Sequence, residues 1–199
     1  MPGLTTGYLF MPHIVIISSS VREGRNSHRA VLYFKNFIEA NQSATVEILD
    51  LAVYDFPLFT ERLRLQKEPL PAAIEFSKKI SSADGVLIVT PEYNGGYPAA
   101  LKNVVDLLYA EWKRKPVAIS TVSDGVFGGT QVITSLQFSL WKIGAWTVPA
   151  MYPIPSILKS FDENGKPLDE AGADKRANVF INELLWAIEA SGKMKELKK

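Results

Sequence analysis

The sequence predicts a three-layer α/β domain built on a parallel sheet, and three observations carry that expectation. Continuous apolar runs at 13–17, 86–90 and 116–122 end in turn residues, as strands buried on both faces do. Segments with apolar residues at helical spacing alternate with those runs, and parallel strands need such crossovers. The 199 residues suffice for one sizeable core, and nothing in them forces a second domain. Right-handed crossovers leave few topologies. The expected strand order is 2-1-3-4-5, with the ends of strands one, three and four side by side at the switch point.

Residues 1–12 read as a mobile extension, since the pattern becomes regular only after a second methionine, Met11. The domain is expected over 13–192, followed by a basic, frayed tail over 193–199. The first strand, 13–17, leads through a polar loop into a helix with Ala30, Val31, Phe34 and Ile38 on one face. A second strand follows at 44–51. The connection 52–70 carries Tyr54, Phe56 and Phe59, read as exposed aromatics of a subunit contact. A helix over 71–82 turns Ala73, Phe76 and Ile80 inward, with Pro71 near its first turn.

The central unit runs from Val86 to Trp112: a strand, a tight polar turn over 91–96, and a helix opened by Pro98. Its apolar face is Leu101, Val104, Val105, Leu108 and Trp112, with Lys102, Asn103 and Asp106 elsewhere; Lys102 and Asp106 stand i to i+4. Strand 116–122, helix 130–143 and strand 145–148 follow. Residues 149–160 read as irregular because prolines interrupt them, and FDENGKPLDE reads as an exposed turn. A last helix is expected over 174–190.

Composition removes several function classes. Lys plus Arg number 22 against 21 Asp plus Glu, a net charge of +1, so no broad field draws nucleic acid or an anionic membrane. The chain has no cysteine, which removes thiol catalysis and disulfides, and only His13 and His28 could supply imidazole to a metal. No apolar run approaches the ~20 residues that span a bilayer. Cytoplasm is the expected location.

Three loops are expected to converge at the switch point. The first, SSSVREGRNS, offers hydroxyls, arginines and a helix N-terminus, a plausible cradle for a phosphate monoester. Ordinary capping by Asn26 or Ser27 explains the same residues about as well. The loop has neither the GK[ST] of nucleotide triphosphatases nor the GxGxxG of dinucleotide folds. The second, PEYNGG, offers backbone groups and Tyr93 to a flat ring. The third, SDGVFGG, has three glycines that permit close approach to a ligand or simply serve a turn at positive φ. A terminal phosphate and a flat ring rich in carbonyls and nitrogens together match flavin mononucleotide, whose chemistry is its own.

With TPEYNGGYPAALKNVVD after the third strand, these loops resemble the NADPH-dependent FMN reductase family, over roughly residues 13–148. Ser19-Ser20 stand where that family has Gly-Ser. The resemblance implies a flavodoxin-like fold, FMN as cofactor and NADPH or NADH as hydride donor. It further implies transfer to a quinone, free flavin, azo compound or similar small acceptor, in a homodimer or homotetramer. Phosphate contacts are implied for Ser20, Arg22, Asn26 and Ser27. Ring contacts are implied for Pro91, Glu92, Tyr93, Asn94 and Gly95, with Ser123 and Gly125 at the ring's other edge. No side chain is assigned a catalytic role. Two other classes remain as alternatives: a flavodoxin-like electron carrier that does not itself oxidise NAD(P)H, and a flavin-free interaction protein.

Overall fold

A computed structural model of the chain describes residues 11–197. The expected extension over 1–12 therefore lies almost wholly outside the described residues. In chain order the elements are β1 (His13–Ser18), α1 (His28–Ala40), β2 (Thr45–Asp50), α2 (Leu51–Tyr54) and α3 (Pro71–Ser82). Then come β3 (Gly85–Pro91), α4 (Ala99–Leu107), β4 (Pro116–Val122), α5 (Gln131–Lys142), β5 (Trp146–Ile154), α6 (Ile157–Ser160) and α7 (Glu170–Glu196). The five strands are parallel, in the order β2-β1-β3-β4-β5. That is the predicted fold.

The period-two alternation of strand side chains divides the core. Ile14 and Ile16 of β1 and Leu87 and Val89 of β3 join α1 and α7 in one layer, around Phe34, Tyr152 and Phe180. Val15, Ile17, Val86 and Ile88 join α3, α4 and α5 in the other, around Phe76 and Trp112. β3 and β4 are buried along their whole lengths, which is why they read as unbroken apolar runs.

Several boundaries differ from the sequence reading, each for a physical reason. β5 continues to Ile154 through Pro149 and Pro153, because it is an edge strand where a missing N–H breaks no ladder. A register shift opposite Val117 and Ile119 absorbs the extra residues. α4 stops at Leu107, and Trp112 reaches the core from a 3-10 turn over Ala110–Trp112. Asn103 is buried: its amide accepts from the Phe59 N–H and donates to Pro57 O at 2.8 Å, so it staples the 52–70 connection to α4. The aromatics of that connection turn inward, with Tyr54 and Phe56 stacked and both edge-on to Phe76. Its exposed apolar residues are Val53, Leu58, Leu65 and Leu70.

In FDENGKPLDE, Phe161 and Gly165 are buried. Gly165, at φ +79°, lies so close to the backbone of Arg29 and Tyr33 that a Cβ would collide with it. α7 starts four residues before the predicted helix and runs on to Glu196, taking in residues expected to fray. The Lys102–Asp106 pair forms as expected.

Candidate functional site

The first loop is held from beneath before it offers anything to a ligand. Ser19 donates both its N–H and its hydroxyl to Val89 O, at 3.2 and 2.9 Å, and is fully buried. Arg25 turns onto Asp50 at the end of β2 in a two-pronged pair and also donates to Ser20 O at 2.6 Å. The fork of a guanidinium matches a carboxylate in this way. Arg25 therefore shapes the loop.

Beside this pair, His28 Nδ1 lies 3.0 Å from Ser18 Oγ and 3.9 Å from Asp50. Burial, then the neighbouring Arg25 charge, push the His28 pKa below its ordinary value against the pull of Asp50. The imidazole is thus kept neutral, adding no second cation beside Arg25.

Ser27 is the N-cap residue of α1, yet it lies in the helical region of backbone space and its side chain makes no capping bond. Ordinary capping is absent there. The Arg29 and Ala30 N–H groups close turns onto Asn26 O and Ser27 O at 3.1 and 3.2 Å, and the helix turns its positive dipole end toward the loop. Ser20 Oγ meets Tyr93 OH at 2.7 Å, which ties the first loop to the second.

The second loop is a two-residue hairpin. Asn94 (φ 52°) and Gly95 (φ 79°) occupy its centre, and Tyr93 and Gly96 exchange N–H···O bonds of 2.8 and 3.0 Å. Asn-Gly suits a turn with two positive φ values. Glu92 N–H donates to Val122 O at 3.2 Å and fastens this shelf to β4.

In the third loop the glycines divide. Gly128 and Gly129 have positive φ, and a Cβ on either would press on backbone atoms about 3.0 or 3.1 Å away. The turn accounts for them. Gly125 has room for a Cβ, in ordinary contact with Ser123 Oγ, and its carbonyl accepts from Ser123 Oγ and Ser156 N–H. Val126 and Phe127 are exposed at the tip.

Between the three loops lies a cavity of about 230 Å³. Of the sequence-predicted residues it brings together Arg22, Asn26, Ser27, Pro91, Glu92, Tyr93 and Ser123. Ser20 stands one hydrogen bond away through Tyr93, while Asn94, Gly95 and Gly125 lie outside the lining. Asp124 and Ile157 also line the cavity and were not singled out from sequence. Asp124 lies in the quoted third loop. Ile157 comes from the segment read as irregular; left-handed Ser156 turns it back so that its N–H reaches Ser123 O. The lining carries two arginines and two carboxylates, so local placement rather than net field selects a charged ligand group.

An uncapped helix N-terminus beside a hydroxyl-bearing loop, facing a polar shelf at the switch point of a 2-1-3-4-5 sheet, defines a nucleotide-binding protein of the flavodoxin-like class. Residues 12–158 match the NADPH-dependent FMN reductase family, and the chain belongs to it. It is accordingly an oxidoreductase of the FMN- and NAD(P)H-dependent kind.

Among its relatives is an NAD(P)H-dependent FMN reductase of Saccharomyces cerevisiae, 34% identical over a 139-position alignment that covers 61% of this chain and 70% of the relative. A quinone reductase of Pseudomonas putida is 32% identical across 70% of this chain and 80% of its own length. An NADPH azoreductase of a Bacillus species is 28% identical across 78% and 85%. The flavoenzyme NAD(P)H:(acceptor) oxidoreductase FerB of Paracoccus denitrificans superposes with a TM-score of 0.74 at 24% identity, covering 91% of this chain and 99% of that one, a likeness of fold.

Proposed function

We propose that this chain transfers reducing equivalents from NAD(P)H, through FMN held in the three-loop cavity, to a small acceptor of quinone or azo type. The observation that carries this reading is the cavity itself: Arg22, Asn26 and Ser27 at the α1 N-terminus on one side, the Pro91–Tyr93 shelf and Ser123 on the other, with the Ser20 hydroxyl buried behind Tyr93. Such donors fit a terminal phosphate and a flat polar ring. Ser20, Arg22, Asn26 and Ser27 would hold the phosphate. The 91–95 loop, Ser123 and Gly125 would hold the ring. When bound, FMN supplies the hydride chemistry.

What the chain contributes is placement. Arg25, locked on Asp50, fixes the Ser20 carbonyl, and the Ser20–Tyr93 bond sets the distance between phosphate cradle and ring shelf. Two ligand parts held at a fixed separation are preorganised, which lowers the ordering cost of binding. Val126 and Phe127 leave apolar surface beside the cavity for a flat acceptor.

The quinone and azo reductase activities named for the relatives support that acceptor class. Exposed Leu58, Leu65 and Leu70 lining an open cavity of about 400 Å³, with Val53 exposed on the same connection, support a homodimer or homotetramer. Among the described residues no helix is long and apolar enough to cross a membrane. With no cysteine in the chain, a cytoplasmic location is the matching proposal.

The test is an absorption spectrum of the purified protein with stoichiometric FMN, followed by anaerobic NADPH and then a benzoquinone. Bleaching by NADPH and recovery with quinone are expected. A flavin that binds but does not bleach with either nicotinamide cofactor would replace this reading with that of an electron carrier. Failure to bind FMN at all would end both.

A further inference from the structure

The opposite edge of the sheet carries a further cavity, of about 320 Å³, where α3 ends and β4 begins. Its lining holds four cations, Lys113, Arg114, Lys115 and Lys195, against one carboxylate, Glu111. Glu111 is already engaged, accepting from Ser77 Oγ at 2.6 Å and from the Tyr109 N–H at 3.0 Å. Among the described residues none of the four cations forms an ion pair. This concentration stands out in a chain whose net charge is +1.

Two further features belong to the same cavity. Lys115 is buried, and its ammonium donates to the carbonyls of Ser81 and Ala83. The nearby Asp84 carboxylate is bonded to the His13 N–H. Burial first, and then the Lys195 charge, push the Lys115 pKa down to about 8 against the pull of Asp84. Arg114 holds φ +58°, a left-handed conformation that side-chain-bearing residues rarely adopt. Backbone held in such a state clusters at ligand sites. An anion seated here would offset the repulsion between Lys195 and the carbonyl-bound Lys115.

We propose that this cavity is a second ligand site, taking a small molecule that carries a diphosphate. A diphosphate packs several negative charges and many acceptor oxygens into a compact volume, which a cluster of cations can neutralise together. A lone carboxylate would meet only one of them. The cavity shares no residue with the three-loop site. The inference therefore does not depend on what that site binds.

The experiment is calorimetric titration of the FMN-saturated protein with inorganic pyrophosphate at low ionic strength, so that the phosphate cradle at the other edge is filled. Lys113 and Lys195 are exposed, and the double variant Lys113→Gln/Lys195→Gln should keep its fold and its flavin spectrum. Pyrophosphate should bind the parent chain and bind the double variant about tenfold more weakly, or worse, as loss of two charge-assisted contacts requires. ADP binding more tightly than pyrophosphate would assign the diphosphate to a nucleotide, and equal binding would assign it to the free anion. Absence of pyrophosphate binding at millimolar concentration, or equal binding to parent and variant, would overturn the proposal.

Discussion

At the carboxyl edge of the sheet Arg25 is matched to Asp50 and to the Ser20 carbonyl, whereas at the amino edge four cations line a cavity whose one carboxylate is committed elsewhere. The two edges differ because a parallel sheet with helical crossovers sorts helix polarity. Helix N-termini gather at one edge and helix C-termini at the other. The carboxyl edge receives the positive end of α1, so a phosphate site there needs few cations. The amino edge receives the carbonyl ends, and Lys115 answers those of α3 through Ser81 and Ala83. An anion site at that edge has to be made of side chains. Its binding should therefore fall steeply with salt, while FMN binding should fall little.

The largest effect should follow from removing Asp50. Asp50→Ala strands the half-buried Arg25 guanidinium and frees the first loop, at a cost of about 3 kcal/mol in folding stability. FMN affinity should fall with it, by roughly a hundredfold if the loop must be rebuilt by the ligand. Urea denaturation and flavin-fluorescence titration measure the two. An unchanged dissociation constant would show that Arg25 and Asp50 do not position the loop.

At the other edge the corresponding perturbation is a pH titration. Folding lowers the Lys115 pKa from 10.5 to about 8, so the unfolded chain binds more protons between those values. Stability contributed by this group therefore rises with pH through that window, and below it the cost of burying the cation is fully present. Comparing the parent with Lys115→Met cancels the other titrating groups. The parent should gain on the variant by roughly 2 kcal/mol from pH 8 to 10.5, read from urea midpoints. A flat difference would place the Lys115 ammonium in water.

A smaller effect is expected at the junction of the first two loops. Ser20→Ala removes the buried hydroxyl that meets Tyr93, and FMN should bind about tenfold more weakly, near 1.4 kcal/mol. Tyr93→Phe, which keeps Ser20, should cost less. Equal losses would mean that the bond between them, rather than a phosphate contact, is what Ser20 contributes.

The same edge-to-edge difference governs what could be read from sequence. β3, β4, α3 and the inward faces of α1 and α7 were legible because burial writes itself as periodicity. The three loops were legible as a group because their residue types and the strand order place them together. Long-range pairings were not: nothing local says that Arg25 meets Asp50, or that Asn103 leaves a helix surface to hold Pro57 and Phe59. Edge position decides whether Pro149 and Pro153 end a strand, and it is a property of the whole sheet. The basic cavity was invisible for a like reason. Lys113, Arg114 and Lys115 adjoin in the sequence, but only the fold brings Lys195, from the tail expected to fray, beside them.

The finest test of that cavity is the strained arginine. Glycine adopts φ +58° without penalty, so Arg114→Gly should raise folding stability by about 1 kcal/mol, partly offset by the greater freedom of glycine in the unfolded chain. The Arg114 N–H, which donates to Gly144 O at 2.7 Å, survives the change. If the arginine serves the diphosphate site, pyrophosphate affinity should drop in the same variant while FMN affinity stays constant. Stability and anion binding would then move in opposite directions at one residue. A variant that gains stability and keeps its pyrophosphate affinity would leave Lys113, Lys115 and Lys195 as the whole of the site.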